Sequence, residues 1–142
     1  RRGIRGDDTD GHVDDIARFV NPTTVLCAYE EDETDENYGA LRENYEILLG
    51  ARDQEGRRLE VKKLPMPGRI GSHDQRLPAS YVNFYIGNTT VLVPVFNCEK
   101  DEEALNIVGD ALPDRRVVGI DCRNLIYGFG AIHCITQQQP AL

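Results

Sequence analysis

No uninterrupted apolar run in this 142-residue chain approaches the roughly 18 residues of a membrane-spanning helix. The opening residues Arg1, Arg2 and Gly3 lead into no apolar stretch of the kind a secretory signal carries. No C-x-x-C pair occurs among the four cysteines, Cys27, Cys98, Cys122 and Cys134, which argues against both a zinc ribbon and a disulfide framework. A reduced, cytoplasmic setting is therefore expected. Positive charge is also scarce, since 16 Lys and Arg face 24 Asp and Glu for a formal net charge of -8. That balance disfavours nucleic acid and anionic membrane as partners and makes a small cationic molecule easier to attract.

With 40% hydrophobic residues the chain can bury a core of single-domain size. Self-comparison shows a repeat: Pro22-Thr23-Thr24-Val25-Leu26 returns 66 residues later as Asn88-Thr89-Thr90-Val91-Leu92. Extended-looking runs precede both copies, from His12 to Val20 and from Ser80 to Ile86, and each pairing reads as a hairpin turning near Asn21-Pro22 or Gly87-Asn88. A helix follows each hairpin. The first presents Tyr38, Leu41, Tyr45 and Leu48 on one face, entered through Thr34 or Asp35. The second begins near Asp101, presents Ala104, Leu105, Val108, Ala111 and Leu112, and stops before Pro113. Strands are expected at 59–64 and 116–120. The organisation is thus one α/β strand-strand-helix-strand unit over 8–66 and another over 79–122. They are separated by a loop from Pro65 to Pro78 and followed by a closing strand and tail over 123–142. Two such units leave sheet edges open, so the chain reads as the C-terminal part of something longer, with a tendency to self-association.

Two clusters offer chemistry. The first, Gly6-Asp7-Asp8-Thr9-Asp10-Gly11-His12-Val13-Asp14-Asp15, is not a calcium loop, because Gly6 and Ala17 fall where the first and last acidic ligands belong. His12-x-Asp14 at the start of a strand would set an imidazole and a carboxylate on one face. Such a pair suits a metal site, proton transfer, or a strand edge stabilising a turn. The second cluster, Gly128-Phe129-Gly130-Ala131-Ile132-His133-Cys134-Ile135, lacks the third glycine of a dinucleotide fingerprint. Its glycines instead read as backbone that something must approach closely. Cys134 falls where a strand gives way to a polar loop. Alternation would turn His133 to the opposite face, leaving His12 as the imidazole that could serve the thiol. Cys27, Cys98 and Cys122 read as small buried hydrophobes.

Gly-Asp-Asp-Thr-Asp-Gly-His12-Val-Asp14-Asp, Ala-Ser-Tyr-Val-Asn83-Phe-Tyr-Ile-Gly-Asn and Ile-His-Cys134-Ile-Thr-Gln-Gln-Gln-Pro together resemble, in order and spacing, three blocks of the agmatine deiminase and bacterial-type peptidylarginine deiminase family. That family belongs to the guanidine-modifying pentein superfamily. The resemblance implies a partial α/β propeller, about two of its five units being present. It implies Cys134 as the nucleophile and His12 as general acid and base. Asp14 would accept hydrogen bonds from the substrate guanidinium, and Asn83 would stand near the reacting centre. No cofactor and no metal is expected. The activity implied is hydrolysis of agmatine to N-carbamoylputrescine and ammonia through a covalent cysteine intermediate. Deimination of peptide or C-terminal arginine is the alternative. The isolated chain is expected to be a non-catalytic fragment or binding module, and a metal-dependent hydrolase built on His12 and Asp14 is the remaining competitor.

Overall fold

A computed structural model describes residues 3–9 and 11–139. Asp10 of the acidic cluster and 140–142 of the tail lie outside the described residues. Two three-stranded sheets carry the fold. Strands β1 (Ala17–Phe19), β2 (Thr24–Tyr29) and β3 (Glu60–Pro65) form the first, with helix α1 (Tyr38–Gly50) between β2 and β3. Strands β4 (Tyr85–Ile86), β5 (Thr90–Val95) and β6 (Arg116–Asp121) form the second, with helix α2 (Asp101–Ala111) between β5 and β6. In each sheet the strands lie in chain order, the first pair antiparallel and the second parallel. Thr24 pairs with Glu60, and Thr90, its counterpart 66 residues on, pairs with Arg116.

The middle strands explain the apolar repeat. Both β2 and β5 are flanked on either side, and Val25, Leu26, Cys27, Ala28, Val91 and Val93 are buried. The crossover helices press their apolar faces against the sheets through Leu41 of α1 and through Ala104 and Val108 of α2. One hydrophobic cluster joins the two units, with Leu26, Leu41 and Leu64 on one side and Val91, Val93 and Val108 on the other. The hairpin turns fall where expected: the Asn21 side-chain oxygen accepts the backbone N–H groups of Thr23 and Thr24, and the Gly87 N–H donates to the Thr90 carbonyl.

Three extended runs are shorter than the sequence predicts, and the reason is the same in each. Side chains capture backbone groups that a strand would pair. Around His12 the chain makes a 3-10 turn at Val13–Asp15 rather than a strand. Ser80 to Asn83 is a buried turn in which the Ser80 hydroxyl accepts the Val82 N–H and donates to the Asp15 carbonyl. The closing strand expected within 123–142 does not form over 125–136, where 3-10 turns at Leu125–Gly128 and His133–Ile135 stand instead. Helix α1 starts later than expected, with Asn37 at its N-cap. The Asp35 carboxylate is instead committed to the Asn37 N–H and to the Arg76 guanidinium.

Candidate active site

The first segment of the site is held by Asp7. Its carboxylate accepts the backbone N–H groups of Thr9 and His12 and the Thr9 hydroxyl, and so wraps the loop that delivers His12 and Asp14. Burial disfavours the Asp7 charge, but these donors and the nearby His12 outweigh it and hold the carboxyl below its ordinary range. Gly6 lets this loop lie on the segment beneath it. Its φ is +92°, and a Cβ there would stand 2.3 Å from the Arg76 carbonyl oxygen. His12 is exposed, and among the described residues its imidazole has no hydrogen-bond partner. Asp14 is partly buried and Asp15 is buried.

Asn83 gathers the pieces. It comes from the buried turn before β4, beside Phe84, whose carbonyl accepts Arg18 Nη1 of β1 at 3.0 Å and so ties the second unit to the first. Asn83 is fully buried. Its Oδ1 accepts the backbone N–H of His133 at 2.9 Å and that of Cys134 at 3.4 Å, which fixes the amide's orientation. Its Nδ2 then faces Asp14 Oδ2 at 3.2 Å, Asp15 Oδ1 at 3.0 Å and Cys134 Sγ at 3.1 Å. A buried amide between two carboxyls and a thiol, drawn from positions 51 to 69 residues apart in the chain, is a constructed site rather than a turn cap.

The third segment bears the thiol. Cys134 is exposed, and its Sγ donates to Asp14 Oδ2 at 3.5 Å. Gly130 is the close approach that the glycine pattern suggests, and what approaches is Cys134 itself. A Cβ on Gly130 would lie 2.7 Å from Cys134 Cβ and 3.0 Å from Sγ, while around Gly128 there is nothing within 4 Å. The expectation that His133 turns away is corrected: its Nδ1 pairs with Asp14 Oδ2 at 2.7 Å. Strand alternation does not apply here, because Asn83 captures the His133 and Cys134 N–H groups and curls the backbone into a 3-10 turn. Neither His133 nor Asp15 is distinguished by spacing in the sequence. Both are selected by Asn83, whose contacts form only in the folded chain.

Charge in the site is unevenly held. Burial opposes ionisation of Asp14, but hydrogen bonds from His133 and the Cys134 thiol, with attraction to the His133 ring, prevail and keep its carboxyl below the usual range. Asp15 behaves oppositely. Burial, then repulsion from Asp14 and Asp7, push it up to about 7 against the help of Asn83. The Cys134 thiol is raised by the protein packed around its sulfur, and further by Asp14 and Asp15, against hydrogen bonds from Asn83 and the backbone at Ala131. The empty site therefore favours a neutral thiol beside a carboxylate. Donor atoms of Asp14, Asp15 and Cys134 lie within 4.8 Å of one another, and among the described residues His12 joins no such group. Among the described residues, no such group supplies a further ligand to a His12–Asp14 metal site.

Cys27 and Cys122 are buried, as small hydrophobes should be, and burial lifts the Cys27 thiol to about 12. Cys98 departs from that reading. Its Sγ lies 2.9 Å from the Tyr81 hydroxyl and 3.3 Å from Asp101 Oδ1, in a polar cluster that anchors the start of α2. Among the described residues no helix is long and apolar enough to cross a membrane.

The model of the Porphyromonas-type peptidyl-arginine deiminase family matches residues 1–140. The agmatine deiminase of Ectopseudomonas mendocina is 41% identical over 157 residues, which take in 98% of this chain and 43% of that protein. The structure of the Enterococcus faecalis agmatine deiminase, described as catalysing its reaction, superposes with a TM-score of 0.88 at 38% identity, over 96% of this chain and 43% of that one. A cysteine-to-serine variant of the C. jejuni agmatine deiminase, solved with substrate bound, superposes at 0.83 with 34% identity over 92% of this chain and 37% of that one. The chain spans less than half the length of the curated relatives it matches.

Proposed function

Because this chain belongs to the Porphyromonas-type peptidyl-arginine deiminase family, we propose that it supplies the nucleophile side of a guanidine-deiminating site, acting on agmatine. What supports this most directly is Asn83, whose one amide contacts Cys134 Sγ, Asp14 and Asp15 together. A thiol beside a carboxylate is suited to a planar cation. The guanidinium lies against Asp14, which accepts its N–H groups and fixes its orientation. Its positive charge offsets those of Asp14 and Asp15 and so favours the thiolate that they otherwise disfavour.

The Cys134 thiolate then attacks the guanidinium carbon. The proton that the thiol gives up passes to His12. As the C–N bond to one terminal nitrogen breaks, the His12 imidazolium returns it to the departing nitrogen and ammonia leaves, with an amidino-thioether left on the sulfur. Water, losing a proton to His12, attacks the same carbon. The C–S bond breaks, N-carbamoylputrescine departs and the thiolate returns. His12 suits this role because its imidazole is exposed, carries no hydrogen-bond partner among the described residues, and rides on the Asp7-anchored loop two residues before Asp14. No cofactor or metal is called for.

The fold in this proposal is part of a pentein-type propeller, with units over 8–66 and 79–122 and a tail over 123–142. Because the relatives are more than twice as long, the reaction is proposed for the completed site, and further guanidine-binding groups come from outside these residues. The outer edges of the two sheets, with exposed Phe19 on β1 and Ile120 on β6, favour self-association of the chain alone. Sedimentation velocity over a concentration series measures it, and a single monomeric species throughout rejects it.

Arginine in peptides is the second reading, favoured by the description of the family whose model matches. Ammonia release from agmatine and from arginine peptides, measured on the complete domain, separates the two. Substituting Cys134→Ala should abolish turnover with either substrate, whereas Cys27→Ala, Cys98→Ala and Cys122→Ala should mainly alter packing. Near-normal ammonia release by Cys134→Ala rejects covalent catalysis through this thiol.

A further inference from the structure

The Asn83 amide has two N–H hydrogens and faces three acceptors. Its carbonyl end is committed to the His133 and Cys134 backbone N–H groups, so the amide cannot turn over to relieve the shortage. Asp14 has other donors, His133 Nδ1 at 2.7 Å and the Cys134 thiol at 3.5 Å. Among the described residues the Asp15 side chain has Asn83 alone, at 3.0 Å, and the residue is 4% exposed. A buried carboxylate with one donor holds that donor firmly, because nothing else compensates its charge. An ionised Asp15 therefore takes one of the two hydrogens and leaves the sulfur and Asp14 to share the other.

Asp15 is too buried to touch a substrate, yet its carboxyl oxygen comes within 4.8 Å of Cys134 Sγ. We propose that Asp15 is a positioning residue that acts through Asn83 to keep the Cys134 sulfur protonated while the site is empty. Its ionised form works in two ways that add. It places a second negative charge near a developing thiolate, and it withholds an amide hydrogen that the thiolate would otherwise accept. The consequence is protection: an exposed nucleophilic cysteine stays a poor target for oxidants and stray electrophiles until a cation enters the site. This rests on Cys134 being the reactive thiol of the proposed function, but it is read without turnover.

The test is the pH profile of Cys134 alkylation by iodoacetamide on the purified chain, followed by peptide mass spectrometry. Asp15→Asn keeps the shape and an acceptor for Asn83 while removing the charge. Its Cys134 pKa should fall by about one unit, so that alkylation at neutral pH quickens about threefold to fourfold once the weaker nucleophilicity of a more acidic thiol is allowed for.

The wild-type profile carries an independent signature. Its logarithmic rise with pH should flatten where Asp15 ionises and then resume, a coupled titration that Asp15→Asn lacks. Asp14 acts on both the sulfur and Asp15, and Asp7 on Asp15; behind them stand His133 and Arg18 beside Asp14, and His12 beside Asp7. Asp14 is already ionised in that range, and the Asp7 carboxyl lies below it too. A flattening that survives both His133→Gln and His12→Gln belongs to Asp15, which keeps the question decidable even if Asp15→Asn fails to fold. A folded Asp15→Asn whose profile superposes on wild type overturns the proposal, as does loss of the flattening in either histidine variant. Failure of the proposed reaction would appear separately, as absence of ammonia release from the complete domain with these profiles intact.

Discussion

Gly130→Ala should disable the site without replacing any of its polar groups. The added Cβ would stand 2.7 Å from Cys134 Cβ and 3.0 Å from its Sγ, where apolar contacts normally settle at about 3.5–4.0 Å. About 1 Å of separation must be recovered. Gly130 is buried and the Cys134 N–H is held by Asn83 Oδ1, so the compliant element is the Cys134 side chain. Its displacement stretches the 3.1 Å contact with Asn83 Nδ2 and the 3.5 Å contact with Asp14 beyond hydrogen-bond range. Overpacking of this kind destabilises by about 1–3 kcal/mol. A 1 Å misplacement of a reacting atom lowers turnover by about 10²-fold. Thermal melting and the Cys134 alkylation rate read the two effects on the chain, and ammonia release reads the second on the complete domain. Gly128→Ala is the control, since its Cβ meets nothing within 4 Å and its melting should be unchanged. Gly130→Ala matching wild type in melting temperature and in Cys134 alkylation would refute the reasoning, because the thiol would then have room that the geometry denies it.

Arg76→Met should lower stability by about 3–5 kcal/mol in a denaturant melt, because Asp35 would lose both of its 2.9 and 3.0 Å guanidinium contacts in a largely buried setting. Asp35→Asn should lose less, and equality of Arg76→Met with wild type would show that the ion pair contributes nothing net. Stability should also fall as pH rises towards neutrality through Asp15. Its folded pKa, about 7, lies above the ordinary 3.8, so its contribution is fully present below the ordinary value and is lost as pH rises through the folded one. Asp15→Asn should therefore gain on wild type between pH ~4 and ~8 by up to about 4 kcal/mol, and parallel stability curves for the two proteins would contradict it. Asp14, held below the ordinary range, contributes in the opposite sense, its stabilisation being lost as pH falls.

The repeat, and the elements whose periodicity runs long enough to be unambiguous, are legible in the residues alone. Helices α1 and α2 and strands β2, β3, β5 and β6 lie within a few residues of their expected places, because amphipathic faces and buried apolar runs are local properties of the chain. The sequence also marked Cys134, Asp14 and Asn83 as candidates, and the fold brings these three together. Tertiary structure decided what side chains do to backbone at a distance. Asn83 Oδ1 reaches across 50 residues to the His133 N–H, and the Ser80 hydroxyl across 65 to the Asp15 carbonyl. Those captures turn apparent strands at 12–16, 80–84 and 125–136 into short turns. They also bring His133 onto Asp14, where alternation would have sent it away. The role of Asp15 is hidden for the same reason. In sequence it is one more acid in an acidic run, and only the burial of its carboxyl against a single amide makes its charge matter to the sulfur. Local patterns encode which face of an element is apolar, whereas the competition of several acceptors for one amide exists only after distant segments have met.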